Sequence, residues 1–149
     1  MCGIFCIITN GEDGREVFQA NIDNLIRRGP DSLDQTIIKP YGTNSLLKIQ
    51  IYASVLCCRP TLVAQPIFHG SNVLVWNGEV FGGLPSLEEI DNDADVLLRC
   101  LAKETTVEGV LSVLKLIEGP FAFIFFHVRM LRLKCSGNII FYFSPNRTS

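Results

Sequence analysis

Apolar residues recur along this chain in two rhythms. Cys2 to Ile8 is apolar almost without a break, which predicts a strand buried on both faces. Asn10, Gly11 and Gly14 mark a turn. Phe18, Ile22, Leu25 and Ile26 then fall at i, i+4, i+7 and i+8, the period of an amphipathic helix. Arg27 and Arg28 suit the negative C-terminal end of that helix, and Gly29-Pro30 stop it. Gln35 to Lys39 and Leu46 to Leu56 read as strands, the second alternating only in part. Val73 to Trp76 is a short strand that runs into Asn77-Gly78.

Two helical patterns follow. Val96, Leu97, Cys100 and Leu101 share one face behind acidic residues that suit a helix N-terminus. Val107, Val110, Leu111, Leu114 and Ile117 share the face of the next helix, and Thr105 and Glu108 have capping-box spacing at its start. Gly119-Pro120 end it. Phe121 to Phe126 is a strongly apolar strand, and the runs Met130–Leu133 and Ile139–Phe143 come after it. Strands, helix, strands, two helices, strands is an α+β order, with antiparallel sheets covered by helices. Runs buried on both faces predict a layered sandwich.

Composition narrows the class. The 149 residues fit one domain, and 48% hydrophobic against 19% charged is enough to bury a core. The net charge of −2 leaves no electrostatic footprint for nucleic acid. The charge is uneven: residues 127–149 carry Arg129, Arg132, Lys134 and Arg147 and no acid. No run approaches the ~20 apolar residues of a membrane span, and the apolar start lacks the basic flank of a signal peptide. A reducing, cytoplasmic setting with free thiols is expected for the six cysteines. None forms a CxxC pair, and with only His69 and His127 beside them no zinc site is expected.

Four short segments can carry chemistry, and each also has a plain structural reading. Loss of Met1 would give Cys2 a thiol and a free α-amine of reference pKa about 7.7–8.0, a nucleophile and base on one residue. It is equally the first apolar residue of a strand. Asn77-Gly78 can offer a side-chain amide and a backbone N–H to an oxyanion, with glycine allowing a ligand close to the backbone. The same pair is the strongest short signal for a hairpin turn. Arg27-Arg28-Gly29-Pro30-Asp31 reads as a helix end, and Asp91-Asn92-Asp93-Ala94-Asp95 as a helix start.

In order along the chain stand Met1-Cys2-Gly3-Ile4-Phe5, Arg28-Gly29-Pro30-Asp31, Gln65-Pro66, Trp76-Asn77-Gly78-Glu79-Val80-Phe81, Asn92-Asp93 and Gly119-Pro120-Phe121-Ala122-Phe123. This ordered set resembles the class II glutamine amidotransferase domains, which are N-terminal nucleophile (Ntn) hydrolases. Arg-Gly-Pro-Asp and Trp-Asn-Gly-Glu favour the asparagine synthetase branch over the sugar-phosphate and phosphoribosyl branches. The resemblance covers residues 1–126, leaving 127–149 as a divergent tail. It implies an Ntn-hydrolase-like four-layer α/β/β/α sandwich of two antiparallel sheets. It also implies glutamine as substrate, hydrolysed to glutamate and ammonia through a Cys2 thioester. Asn77 and Gly78 would hold the oxyanion and Asp93 the substrate α-ammonium, with Asp91 and Asp95 as alternative registers. Glu79 would touch the substrate. No cofactor, metal, nucleic acid or membrane is implied. Trp76 and Phe81 read as packing, and Cys6, Cys57, Cys58, Cys100 and Cys135 as core or strand residues. His69 is expected on a loop and His127 at a strand end.

The chain departs from the family's pattern in three places. The arginine that clamps the substrate carboxylate belongs in a stretch that here reads Ala53-Ser54-Val55-Leu56. Arg59 lies three residues on and is either that clamp or a solvated loop arginine beside Pro60. The Gly-Arg-Asp segment expected after Phe126 is missing, so a truncated module is expected, with the tail pairing as a terminal hairpin. No Ser-Gly-Gly-x-Asp-Ser loop for ATP pyrophosphate is present, so any ammonia would have to serve a synthetase domain or partner elsewhere. The competing reading is a truncated, non-catalytic amidotransferase-like interaction module or relic.

Overall fold

The computed structural model describes residues 2–10, 19–39, 47–58, 62–85, 92–127 and 132–135. In chain order the elements are β1 (Gly3–Asn10), α1 (Gln19–Arg28), β2 (Ser32–Ile38), β3 (Leu47–Val55), β4 (Ile67–His69), β5 (Asn72–Gly78), α2 (Asp93–Lys103), α3 (Val107–Leu116), β6 (Phe121–His127) and β7 (Arg132–Cys135). They form two antiparallel sheets, β1-β3-β2 and β4-β5-β6-β7. The α+β class with two antiparallel sheets and helices follows the sequence pattern.

Period-two side-chain alternation sorts each strand into two faces. Ile4, Cys6 and Ile8 of β1 and Ile49, Ile51 and Ala53 of β3 pack against Val73 and Val75 of β5 and Ile124 and Phe126 of β6. This is the layer between the sheets. The opposite face of the second sheet, with Leu74, Trp76, Phe123 and Phe125, meets Val96, Leu97, Leu101, Val110 and Leu114 of α2 and α3. The central strands β3, β5 and β6 are thus apolar on the faces that meet these layers, and β5 and β6 on both. Helix α1 contacts all three strands of the first sheet from its outer side. The layers run helix, sheet, sheet, helices.

Several local expectations shift. Asn77-Gly78 is no hairpin turn: both residues stay in β5, paired with Ala122 and Phe121 of β6. The apolar run that predicts the strand stops at Trp76, but the β6 ladder continues past it. His69 is not on a loop but ends β4, opposite Asn72, with Gly70 (φ 60) in the turn between them. Thr106, not Thr105, caps α3, accepting the Gly109 N–H at 3.0 Å. Of the apolar stripe on α1 only Leu25 is buried, and Ile26 is 43% exposed, because among the described residues a single short helix covers this sheet. Phe18 lies outside the described residues. The strand expected at Met130–Leu133 lies at Arg132–Cys135, set by pairing of His127 with Arg132 and Ile124 with Cys135. Ile139–Phe143 lies outside the described residues.

Candidate active site

Helix α1 ends where the Gly29 N–H reaches Leu25 O at 3.0 Å. Gly29 then lies directly on β3, where any Cβ would stand 2.5 Å from the Val55 nitrogen. Only glycine allows that approach. Pro30 bridges to Val55, and the Asp31 N–H donates to Val55 O at 3.0 Å. The side chains on either side reach outward from this anchor. Arg28 Nε donates to Cys2 O at 3.1 Å, and Asp31 Oδ2 accepts the Cys57 N–H at 2.7 Å. The Cys2 thiol lies 4.0 Å from Leu56 O. Arg28-Gly29-Pro30-Asp31 therefore does more than stop a helix. It ties the start of β1 to the segment that leaves β3.

In the second sheet the hydrogen-bond phase decides what Gly78 offers. Opposed residues of an antiparallel pair exchange bonds at alternate positions. Glu79 N–H to Pro120 O (3.1 Å) and Phe81 N–H to Glu118 O (2.8 Å) assign the odd-numbered residues to β6. Trp76 and Gly78 turn their N–H groups to the other side, where β4 pairs only as far as Leu74. The Trp76 N–H is taken by the buried Gln65 side chain, Oε1 at 2.6 Å. Gly78 lies one step further along β5, still paired with β6 but beyond the reach of β4. Its lack of a side chain has a cause the sequence does not disclose: a Cβ would meet Phe121 Cβ at 2.6 Å and Pro120 O at 2.8 Å. Packing against β6, rather than ligand approach, requires glycine there.

Asp93 opens α2 and is buried, 6% exposed. Asn92 caps the helix, its Oδ1 accepting from Ala94 N–H (3.1 Å) and Asp95 N–H (3.3 Å). Asp93 Oδ2 accepts from Trp76 Nε1–H and Val80 N–H, both at 3.3 Å, and Oδ1 from Ala94 N–H at 2.9 Å. A carboxylate has about four acceptor positions, so three donors leave room for another. Trp76 stacks on Phe121 with ring centroids 5.1 Å apart, which fixes its indole N–H. Trp76 thus does more than pack: it holds the carboxylate. The packing reading of Phe81 fails outright, because its side chain is 74% exposed. It sits beyond the end of β5.

These pieces face one open pocket of about 470 Å³, within the range of small-molecule sites. Cys2, Asn77, Gly78, Glu79 and Asp93 all line it, with Gln65 and Trp76 beside them. Asp95 points away and pairs with Arg99 at 3.3 Å on the surface, which separates it from Asp93. Arg59 and Asp91 lie outside the described residues. Cys57 and Cys58 also line the pocket, and Cys58 is exposed, so neither is a core residue. Cys6 and Cys100 do pack against the two cores, and Cys135 sits in β7. His127 is buried at the end of β6, away from the pocket lining. Sequence reasoning left Gln65 without a role and gave Trp76 only packing. Their only signal was membership of the Gln-Pro and Trp-Asn-Gly segments.

Over 85% of its length this chain is 32% identical to asparagine synthetase domain-containing protein 1 of Bos taurus and 33% identical to that of Mus musculus. The chain is a homologue of asparagine synthetase domain-containing protein 1. The ordered sequence motifs resemble the same protein. An asparagine synthetase domain-containing protein of Drosophila melanogaster is 29% identical over 87% of the chain. The matched region is 19% of the bovine protein, 20% of the mouse protein and 22% of the fly protein, so the chain spans about a fifth of these relatives. No family model matches the chain, and no solved structure matches it. No helix among the described residues is long and apolar enough to cross a membrane.

Proposed function

We propose that this chain is a class II glutamine amidotransferase domain of Ntn-hydrolase type, the glutaminase part of an asparagine synthetase-like protein. One observation carries the reading. Cys2 just ahead of β1, Asn77, Gly78 and Glu79 at the end of β5, and Asp93 at the start of α2 line a single pocket.

Loss of Met1 gives Cys2 its α-amine. That amine takes the thiol proton, and Sγ bonds to the side-chain amide carbon of glutamine. The carbonyl electron pair moves to oxygen, where the Asn77 amide and the Gly78 N–H receive it. The ladder phase supports this role for Gly78, since its N–H points away from β6. The C–N bond then breaks and the nitrogen, reprotonated by the α-amine, leaves as ammonia. Water attacks the remaining thioester, glutamate departs and the thiol is restored. Asp93 holds the α-ammonium of glutamine at its fourth acceptor position. Glu79 contacts the same end of the substrate, and Arg59 clamps the carboxylate. The ammonia serves a synthetase domain or partner outside the region described.

Glutamate release from glutamine by the purified protein tests this, once intact mass shows Met1 removed. Cys2→Ala should abolish release. Asn77→Ala should lower kcat roughly 100- to 1,000-fold, the effect of losing one oxyanion donor. A folded, Met1-free protein that releases no glutamate would overturn the proposal in favour of a non-catalytic module. Equal rates for Cys2→Ala and the parent would also overturn it.

A further inference from the structure

Cys2 shares its pocket with two other thiols, Cys57 and Cys58, on the segment that leaves β3. No disulfide joins these three cysteines in the structure. The Cys2 sulfur is 4.0 Å from Leu56 O. That oxygen belongs to the peptide unit whose nitrogen is Cys57's, so the Cys57 α-carbon lies within about 7 Å of the Cys2 sulfur. Both backbones are pinned. Arg28 holds Cys2 O at 3.1 Å and Asp31 holds the Cys57 N–H at 2.7 Å. Cys2 and Cys57 are each half-buried on the pocket wall, where a small oxidant can enter. Cys58 is exposed and one residue further from the pinned peptide.

We propose that Cys2 and Cys57 form a reversible disulfide when the protein meets hydrogen peroxide, closing off the pocket thiol. The Cys2 thiolate attacks one peroxide oxygen and the O–O bond breaks. This gives a Cys2 sulfenic acid and, after proton transfer, one water. The Cys57 thiol then attacks the Cys2 sulfur. The S–S bond forms, the S–O bond breaks, and the hydroxyl leaves with the Cys57 proton as a second water. Two thiols lose two electrons and two protons, and the peroxide is reduced to two waters. A dithiol reverses the step by exchange through a mixed disulfide. The bond itself needs only the placement of the two thiols. Its consequence as a switch on glutamine hydrolysis rests on the function proposed above.

The test is peroxide treatment of the full chain, alkylation of remaining thiols, intact mass and peptide mapping. The expected result is loss of two hydrogens and a Cys2–Cys57 cross-linked peptide, both in the parent and in Cys58→Ser. Cys57→Ser should instead stop at a Cys2 sulfenic acid that dimedone traps. A parent that forms no internal cross-link would overturn the proposal, as would a cross-link from Cys2 to any other cysteine. Mapping decides this whether or not the protein hydrolyses glutamine. In a protein that does, glutamate release should fall to background on oxidation and return with dithiothreitol. Release that persists in the cross-linked form would overturn the switch while leaving the disulfide in place.

Discussion

Replacing Asp93 with asparagine separates the charge of the pocket carboxylate from the hydrogen bonds it accepts. Asp93 Oδ2 takes two donors, Trp76 Nε1–H and Val80 N–H, and Oδ1 takes Ala94 N–H. An asparagine can match only one side. The Ala94 N–H has a second acceptor, Asn92 Oδ1 at 3.1 Å. The amide nitrogen therefore turns toward Ala94, and the amide oxygen stays on Trp76 and Val80. What is lost is one bond with a substitute nearby, the charge assistance on two others, and a negative charge at a helix N-terminus. That sums to about 1–3 kcal/mol. Asp93→Ala leaves two buried N–H donors without an acceptor, at about 1–3 kcal/mol each. Urea unfolding should rank the parent above Asp93→Asn, and Asp93→Asn well above Asp93→Ala. Glutamine binding should rank differently, because both variants lose the charge proposed to face the substrate ammonium. A charge-assisted hydrogen bond of about 1.5–3 kcal/mol corresponds to a rise in KM of roughly tenfold to a hundredfold for Asp93→Asn. Equal stability loss in the two variants would refute the hydrogen-bond account. A folded Asp93→Asn with unchanged KM would refute the ammonium contact.

Gln65→Ala leaves the Trp76 N–H without its acceptor inside the protein and should cost about 1–3 kcal/mol in chemical unfolding. A smaller loss would mean that another group can cover that N–H. Gly78→Ala places a methyl against Phe121 and Pro120 and should cost about 1–3 kcal/mol by thermal melting, with glutamate release reduced as well. Asp31→Ala, which removes the acceptor of the Cys57 N–H, should lower kcat roughly tenfold or more while moving the melting temperature little, since an exposed side chain that positions a peptide acts through geometry. A kcat unchanged in Asp31→Ala would deny the segment its positioning role. Thr106→Ala should cost about 1 kcal/mol in urea and Thr105→Ala almost nothing, which reads out directly which residue caps α3.

The fold was legible wherever burial imposes a simple rhythm. β1, β3 and β6 carry the long apolar runs, and all three face the layer between the sheets. Helices α2 and α3 carry a 3.6-residue stripe and both face the second sheet. Legibility fails where pairing outlasts the apolar pattern. β5 continues through Asn77 and Gly78 because β6 continues opposite, and a polar Asn-Gly within a ladder resembles a turn when only composition is visible. β4 is three residues long and mostly exposed, too short for any period to show. At the site, Cys2, Asn77, Gly78, Glu79 and Asp93 came from ordered motifs, and the structure places them on one pocket. Gln65 and Trp76 were missed because their work is non-local. Each bonds to a residue 11 or 17 positions away in the chain, and no spacing rule within one element reports that.

The plain readings of the motifs are not rivals of the functional ones. A helix end, a helix start and a strand running past its partner are the places where backbone donors and acceptors lack partners of their own. Gly29-Pro30 does stop α1, and because it stops on Val55, Arg28 and Asp31 are carried to Cys2 and Cys57. Asn92 does cap α2, and because it takes Ala94 and Asp95, Asp93 keeps acceptor capacity for something other than its own helix. β4 does end early, and because it ends before Trp76, Gln65 must cover one N–H while the next faces the pocket. A segment fully explained as an element terminus is therefore a better site candidate than one in mid-element. Its side chains and N–H groups are already aimed out of the ladder, and the sandwich gathers three such ends around Cys2.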